Sequence, residues 1–279
     1  MSDPVMIMVA PNGARRTKAD HPNLPMTAAE IARDVARCAD AGASAVHVHV
    51  RDAEGVHVLD ADLYRDVTAA ITREAGPGIV VQATTEAVGR YAPQEQIAMV
   101  RALKPEAVSV GLREVLPDEE SVAAAADFYG WCLAEQIAVQ HILYDAADLH
   151  AFLEFVRRGV IPGGHWSVLF VLGRYTANQE SDPNALRAFL DVMDTAEERR
   201  ATAWSICAFG RGETASVTAA IAMGGHARVG FENSLWAPDG TMTRGNDAAV
   251  ARIRSIAELL GRPVTDREQT LRVLGFPQP

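Results

Sequence analysis

Eight times along this chain a short apolar run gives way to a longer amphipathic stretch, and that alternation limits the possible folds more than any other feature. The first unit is VMIMVA (5–10) followed by TAAEIARDVARCADAG (27–42), where Thr27 and Glu30 have capping-box spacing and Gly42 is placed to end the helix. The runs SAVHVHV (44–50), GIVVQATT (78–85) and AVSVGL (107–112) precede helical patterns near 60–75, 93–103 and 119–135. The runs IAVQHILY (137–144), HWSVLFVLG (165–173), TAWSICAFG (202–210) and HARVGFE (226–232) precede patterns near 146–158, 183–197, 213–223 and 246–260. Strands that alternate with helices pair in parallel through the helical crossovers. Eight such units in 279 residues predict an α/β fold of the (β/α)8 TIM-barrel type, one catalytic domain over 1–279, with a weakly patterned tail at 263–279. A doubly wound open sheet is the alternative, but the first strand is followed by PNGARR rather than a GxGxxG phosphate loop.

A barrel works at the C-terminal ends of its strands. Polar residues crowd those positions here: PNGARRTK after strand 1, HVRD at strand 2, TTE at strand 3, LRE at strand 4, YD at strand 5, GR at strand 6, FGRGE at strand 7 and EN at strand 8.

Composition narrows the partners. A formal net charge of −10 argues against nucleic-acid binding, which needs clustered cations, although local arginines can still hold anions. The three cysteines, Cys38, Cys132 and Cys207, are far apart in apolar contexts and read as reduced core thiols. The N-terminal apolar run reads as a strand rather than a signal peptide, and no stretch approaches the ~20 apolar residues of a membrane span. A soluble, cytoplasmic chain is expected.

The second strand carries HVHVRD (47–52). Side chains alternate faces along a strand, so His47 and His49 point into the lumen while Val46, Val48 and Val50 face the helices. Two neutral imidazoles at the working end suit a divalent metal such as zinc, which in catalytic sites takes three protein ligands and keeps one position open. By the same period, His226, Arg228, Gly230 and Glu232 share a face on strand 8, and Glu232 at the mouth is the candidate third ligand. Its alternative role is a salt bridge to Arg228. Arg51 and Asp52 either orient the histidines or brace the loop. An amidohydrolase-like metal hydrolase is the rival, but His141 falls inside strand 5 and His165 opens strand 6 at the opposite end of the barrel.

Five stretches in order, APNGARRTKADHPNLPMTAAEIA (10–32), GASAVHVHVRD (42–52), PEAVSVGLRE (105–114), WSICAFGRGE (204–213) and GGHARVGFENSLWAPDG (224–240), carry a likeness over nearly the whole chain. The chain resembles the β-keto acid cleavage enzymes. The resemblance implies a TIM barrel in a homotetramer and a reaction of a β-keto acid with acetyl-CoA, as co-substrate, to give acetoacetate and a new acyl-CoA by Claisen addition, CoA transfer and retro-Claisen cleavage. It implies zinc held by His47, His49 and Glu232. The expected first step is addition of an acetyl-CoA enolate to the zinc-polarised ketone. Thr84, Thr85 and Ser109 match the zone that grips the keto-acid carboxylate, and Arg228 matches the arginine that works with the family's catalytic base. Arg211, between two glycines in the loop after strand 7, is a candidate for CoA phosphates.

Two departures stand out. Asn233 occupies the position of the family's aspartate base, and a neutral amide does not take a proton from a carbon acid. Glu114, Glu86 and Glu213 are the replacement candidates, Glu114 first, with Asn233 left to hydrogen-bond an enolate oxygen. Arg15 stands where the 3-keto-5-aminohexanoate type has a carboxylate for its substrate's ammonium, and Ile142 lies near a second such place. Arginine repels an ammonium and pairs with a carboxylate, so a keto acid with a distal carboxylate or neutral polar tail is expected. A trimethylammonium keto acid stays open if Glu86, Glu114 or Glu213 rebuilds a cation site. A metal hydrolase and a non-catalytic ligand-binding barrel are the remaining readings of the same residues.

Overall fold

The computed structural model describes residues 3–193 and 201–276. Residues 194–197 of the helix expected over 183–197 lie outside the described residues, as do residues 277–279 of the tail. Eight parallel strands close into a barrel in chain order: β1 (Ile7–Val9), β2 (Ala45–Val48), β3 (Val80–Thr84), β4 (Ala107–Gly111), β5 (Ala138–Leu143), β6 (Trp166–Leu172), β7 (Thr202–Ala208) and β8 (His226–Val229). Pairing of Met8 with Arg228 and of Val9 with Val229 shuts the sheet on itself.

The helices lie between the strands as the apolar spacing requires. Thr27 caps the helix Ala28–Ala41 in a reciprocal box with Glu30, and Gly42 ends it at φ 114°. Outward-facing Val46, Val48 and Val50 pack with Ile31, Val35 and Tyr64 in the main core between sheet and helices. The expected single helix over 119–135 is a 3-10 turn, Glu119–Ser121, running into Val122–Ala134. The segment after β4 also differs from expectation. Leu112–Val115 forms a short helix and carries Arg113 outward to pair with Asp145 and Asp148.

The weakly patterned tail forms defined structure over its described residues, 263–276. Val5 bridges to Val264, and Asp266 and Gln269 form a capping box for the helix Arg267–Val273. Leu274 then enters the N-terminal end of the barrel among Met6, Met8, Ala45, Val80, Ala107 and Ala138. One buried leucine and one capping box leave little periodicity to read, because the helix is two turns long.

Candidate active site

Above that apolar floor the lumen turns polar. His47, Gln82, Ser109, Gln140, Ser167, Ser205 and Arg228 are all buried there. β2 places His47, and the extended residues beyond its end carry the alternation on to His49. Asn12, in the loop after β1, clamps that extension: its amide donates to His49 O at 2.9 Å.

Glu232 arrives differently from the expected strand. β8 ends at Val229, and the chain turns at Gly230 with φ 134°, where a Cβ would lie 2.5 Å from Ala10 O. The turn swings Glu232 over the mouth, against Gly13, where a Cβ would meet Glu232 Cγ at 2.6 Å. These two glycines let the loops after β1 and β8 approach closely enough to bring Glu232 to the histidines.

His47 Nε2 lies 3.1 Å from His49 Nε2, and Glu232 Oε2 lies 3.5 Å from each. Donors held about 2.0–2.1 Å from a tetrahedral zinc are separated by about 3.3 Å, so the triangle has the size a zinc ion requires. Glu232 Oε2 is buried without a hydrogen-bond partner, as an atom meant for a further group is. The other oxygen, Glu232 Oε1, accepts from Arg228 at 2.9 Å. The salt bridge to Arg228 thus occupies one oxygen of Glu232 and leaves the other facing the two histidines. Burial pushes the Glu232 carboxyl up, but Arg228 and the two histidines outweigh it and hold it well below the usual range. Burial, reinforced by Arg228, pushes His47 down to about 3, which keeps its imidazole neutral and able to ligate.

The adjoining cavity is lined by Asn12, Arg15, Arg16, His47, Thr84, Glu86, Ile142, Tyr144, Arg174, Phe209, Arg228 and Glu232, among others. Thr84 faces it, with Ser109 Oγ donating to Thr84 Oγ1 at 3.4 Å. Thr85 points the other way and donates to Ser109 O. Glu86 is the second carboxylate on the lining. Its Oε1 lies 3.9 Å from Arg15 and 3.8 Å from Arg174, and its Oε2 lies 3.8 Å from His49 Nδ1.

Four expected participants sit elsewhere. Glu114 is turned against the backbone, accepting from Ala87 N and from Gln96 Nε2 at 2.7 Å, because the short helix after β4 carries it off the lumen. Glu213 is buried beneath the loop, accepting from Gly230 N at 3.2 Å, and burial pushes its carboxyl up to about 8. Arg211 lies on the rim with its guanidinium 4.3 Å from the Trp236 ring. Asn233 is fully buried off the cavity lining, with neither amide atom paired. Arg51 braces the loops, donating to Gly13 O, Arg16 O and Gly55 O, and Asp52 accepts from Glu54 N and Val56 N within its own turn. The hydrolase pattern is not assembled: His141 packs outside the barrel between Tyr129 and Phe152, and His165 bonds Arg272 O near the tail.

Sequence reading passed over Arg174, Tyr144 and Gln82. Arg174 was visible in the GR that closes strand 6. Gln82 was visible as an amide inside an apolar strand, in phase with Thr84.

A closed parallel barrel that groups His47, His49 and Glu232 at its C-terminal mouth, where they could hold a metal ion, defines a TIM-barrel class. The family model for the beta-keto acid cleavage enzyme matches residues 4–276, and the chain belongs to that family of carbon–carbon bond-cleaving enzymes. It is 29% identical to a 3-keto-5-aminohexanoate cleavage enzyme of Fusobacterium nucleatum, covering 99% of each chain. It is 26% identical to a 3-oxoadipate:acetyl-CoA acetyltransferase of Cupriavidus necator, covering 99% of this chain and 96% of that one. The apo structure of ObcA superposes with a TM-score of 0.70 at 16% identity, over 92% of this chain and 66% of that one, and shares the barrel fold.

Proposed function

We propose that the chain is a zinc-dependent β-keto acid cleavage enzyme that takes a β-keto acid with an anionic tail and acetyl-CoA to acetoacetate and a new acyl-CoA. The observation that carries this reading is the His47, His49 and Glu232 triangle opening onto an arginine-rich cavity. Bound zinc would supply Lewis-acid polarisation of the substrate ketone and carboxylate.

Atom balance sets the direction of the chemistry. The new acyl-CoA keeps the ketone carbon, while C2 and the carboxylate leave in acetoacetate. The C2–C3 bond therefore breaks, and C2 bonds to the acetyl carbonyl. The nucleophile is C2 of the keto acid, which replaces the acetyl-CoA enolate expected from the sequence. C2 loses a proton and attacks the thioester, and CoA leaves as the thiolate. The thiolate then adds to C3, the C2–C3 bond breaks to leave the new acyl-CoA, and the acetoacetate enolate takes back the proton that C2 lost.

Proton removal falls to Glu86. Asn233 is neutral, Glu114 is tied to Ala87 and Gln96, and Glu213 is buried away from the cavity, whereas Glu86 lines it. Arg228 holds developing negative charge at the floor, and Thr84 and Ser109 hold the keto-acid carboxylate. Arg211 on the rim meets CoA phosphates.

The lining carries four guanidiniums, Arg15, Arg16, Arg174 and Arg228, against two carboxylates, Glu86 and Glu232, an excess of two positive charges. A bound zinc ion would raise that excess further; a dianion, the keto-acid carboxylate plus a tail carboxylate, offsets much of it, and an ammonium tail adds to it. A homotetramer and a cytoplasmic setting belong to the same proposal and rest on the family likeness. Among the described residues no helix is long and apolar enough to cross a membrane.

The test is an acetoacetate assay over keto acids with carboxylate, neutral, ammonium and trimethylammonium tails, with and without acetyl-CoA. The dicarboxylate should have the highest kcat/KM, and turnover should require acetyl-CoA. Preference for the ammonium tail would overturn the charge argument. Turnover without acetyl-CoA would favour a hydrolase, and stoichiometric metal with no turnover would favour a binding barrel.

A further inference from the structure

We infer that Gln82 is a positioning residue that fixes which nitrogen of His47 carries the proton, and so presents the other nitrogen to the metal. The inference rests on the metal reading above. Gln82 is fully buried and sits beside His47 in the strand register, and it does not line the cavity. Its role is therefore toward the protein rather than toward substrate.

The contacts form a directed chain across the barrel lumen. His47 Nδ1 lies 2.8 Å from Gln82 Oε1. Gln82 Nε2 donates to Gln140 Oε1 at 3.2 Å. Gln140 Nε2 reaches Ser167 Oγ at 3.2 Å and Ser205 Oγ at 3.5 Å. A primary amide has one accepting end and one donating end. With the Gln82 N–H committed to Gln140, its oxygen faces His47 and must accept. His47 therefore carries its proton on Nδ1, and the Nε2 lone pair faces His49 and Glu232, where a metal needs it.

Both amides are buried, and an unpaired amide in such a place is costly, so the chain of bonds favours complete satisfaction. Two arrangements achieve it. In the second, both amides are reversed, the serines donate to Gln140, and Gln82 donates to His47 Nδ1, leaving the proton on Nε2. That arrangement aims an N–H into the metal position. Metal binding and the direction of the lumenal chain are thus coupled, and the hydroxyls of Ser167 and Ser205, on β6 and β7, form the far end.

Zinc-stripped full-length protein can be titrated with zinc against a chromophoric chelator. Wild type should bind one zinc per chain, and Gln82→Leu, which removes the acceptor, should bind roughly 10- to 100-fold more weakly. Gln82→Glu keeps an acceptor at the same place, and Gln140 can turn to donate to it, so zinc affinity should match or exceed wild type. A long-range 15N–1H NMR spectrum of histidine-labelled, zinc-loaded protein should show His47 protonated at Nδ1. Thermal melts of the metal-free variants report whether each has folded. If Gln82→Leu does not fold, Gln82→Glu and the wild-type spectrum carry the test. Wild-type affinity in folded Gln82→Leu, weakened binding in folded Gln82→Glu, or a proton on Nε2 of zinc-loaded His47 would each overturn the inference while leaving the metal reading intact. Failure of wild type to bind zinc would overturn both.

Discussion

Glu232 shows how much one side chain can decide. Its Oε1 is held by Arg228 and its Oε2 is left unpaired, so the carboxylate is already oriented toward the two histidines. Glu86 is held more loosely, within 4 Å of Arg15, Arg174 and His49 but closely bonded to none of them. Its oxygens are therefore open to a group bound in the cavity. Glu86→Gln should lower kcat by about 10²- to 10⁴-fold with zinc content unchanged, measured by initial rates and metal analysis. A variant with near-wild-type kcat would remove Glu86 from the chemistry. Arg15 is well exposed, so its charge is screened, and Arg15→Glu should cost a dicarboxylate substrate about tenfold in kcat/KM. The same variant should improve the ratio for an ammonium-tailed substrate, and no change in that ratio would argue against Arg15 as the tail contact.

At the scale of elements, loops bring the site together more than strands do. The loops after β1 and β8 meet because Gly13 and Gly230 let them, and Asn12 and Arg51 hold the first loop against β2. The tail helix works at the opposite end. Leu274→Ala opens a cavity under the barrel floor and should destabilise the chain by about 2–5 kcal/mol in denaturant unfolding, with KM for both substrates unchanged. A stability loss under 1 kcal/mol would mean the tail is not a structural plug. The strand–helix alternation, the capping box at Thr27 and the inward phase of His47 and His49 were legible in the sequence, because each depends on residues close together in the chain. Leu112–Val115 was not, since LREV reads equally as a strand end and a helical turn. That ambiguity put Glu114 in the site, and the short helix takes it out.

At the scale of the whole molecule, burial of charge sets the response to pH. Burial pushes Glu213 up to about 8 from an ordinary value of 4.5. Between those values the folded chain holds a proton that the unfolded chain has released. Stability therefore falls as pH rises through that window, by up to about 5 kcal/mol from this group. Glu213→Gln keeps an acceptor for Gly230 N–H and removes the titration. Its melting temperature should gain on wild type from pH 5 to about pH 8 and then level off, and parallel curves would show that Glu213 does not titrate in that range.

The sequence by itself determined the barrel, the two histidines and the family, because periodicity and motif order are local or additive along the chain. It also singled out Arg15 and Asn233 as departures, since each is a substitution within a matching stretch. Only the tertiary structure decided which carboxylate faces the cavity, that Glu232 gives one oxygen to Arg228 and leaves the other unpaired, and that Gln82 and Gln140 link His47 to two serines across the lumen. Those outcomes depend on which groups meet across a closed sheet, and residues 58 and 65 positions apart become hydrogen-bonded neighbours only when the barrel shuts.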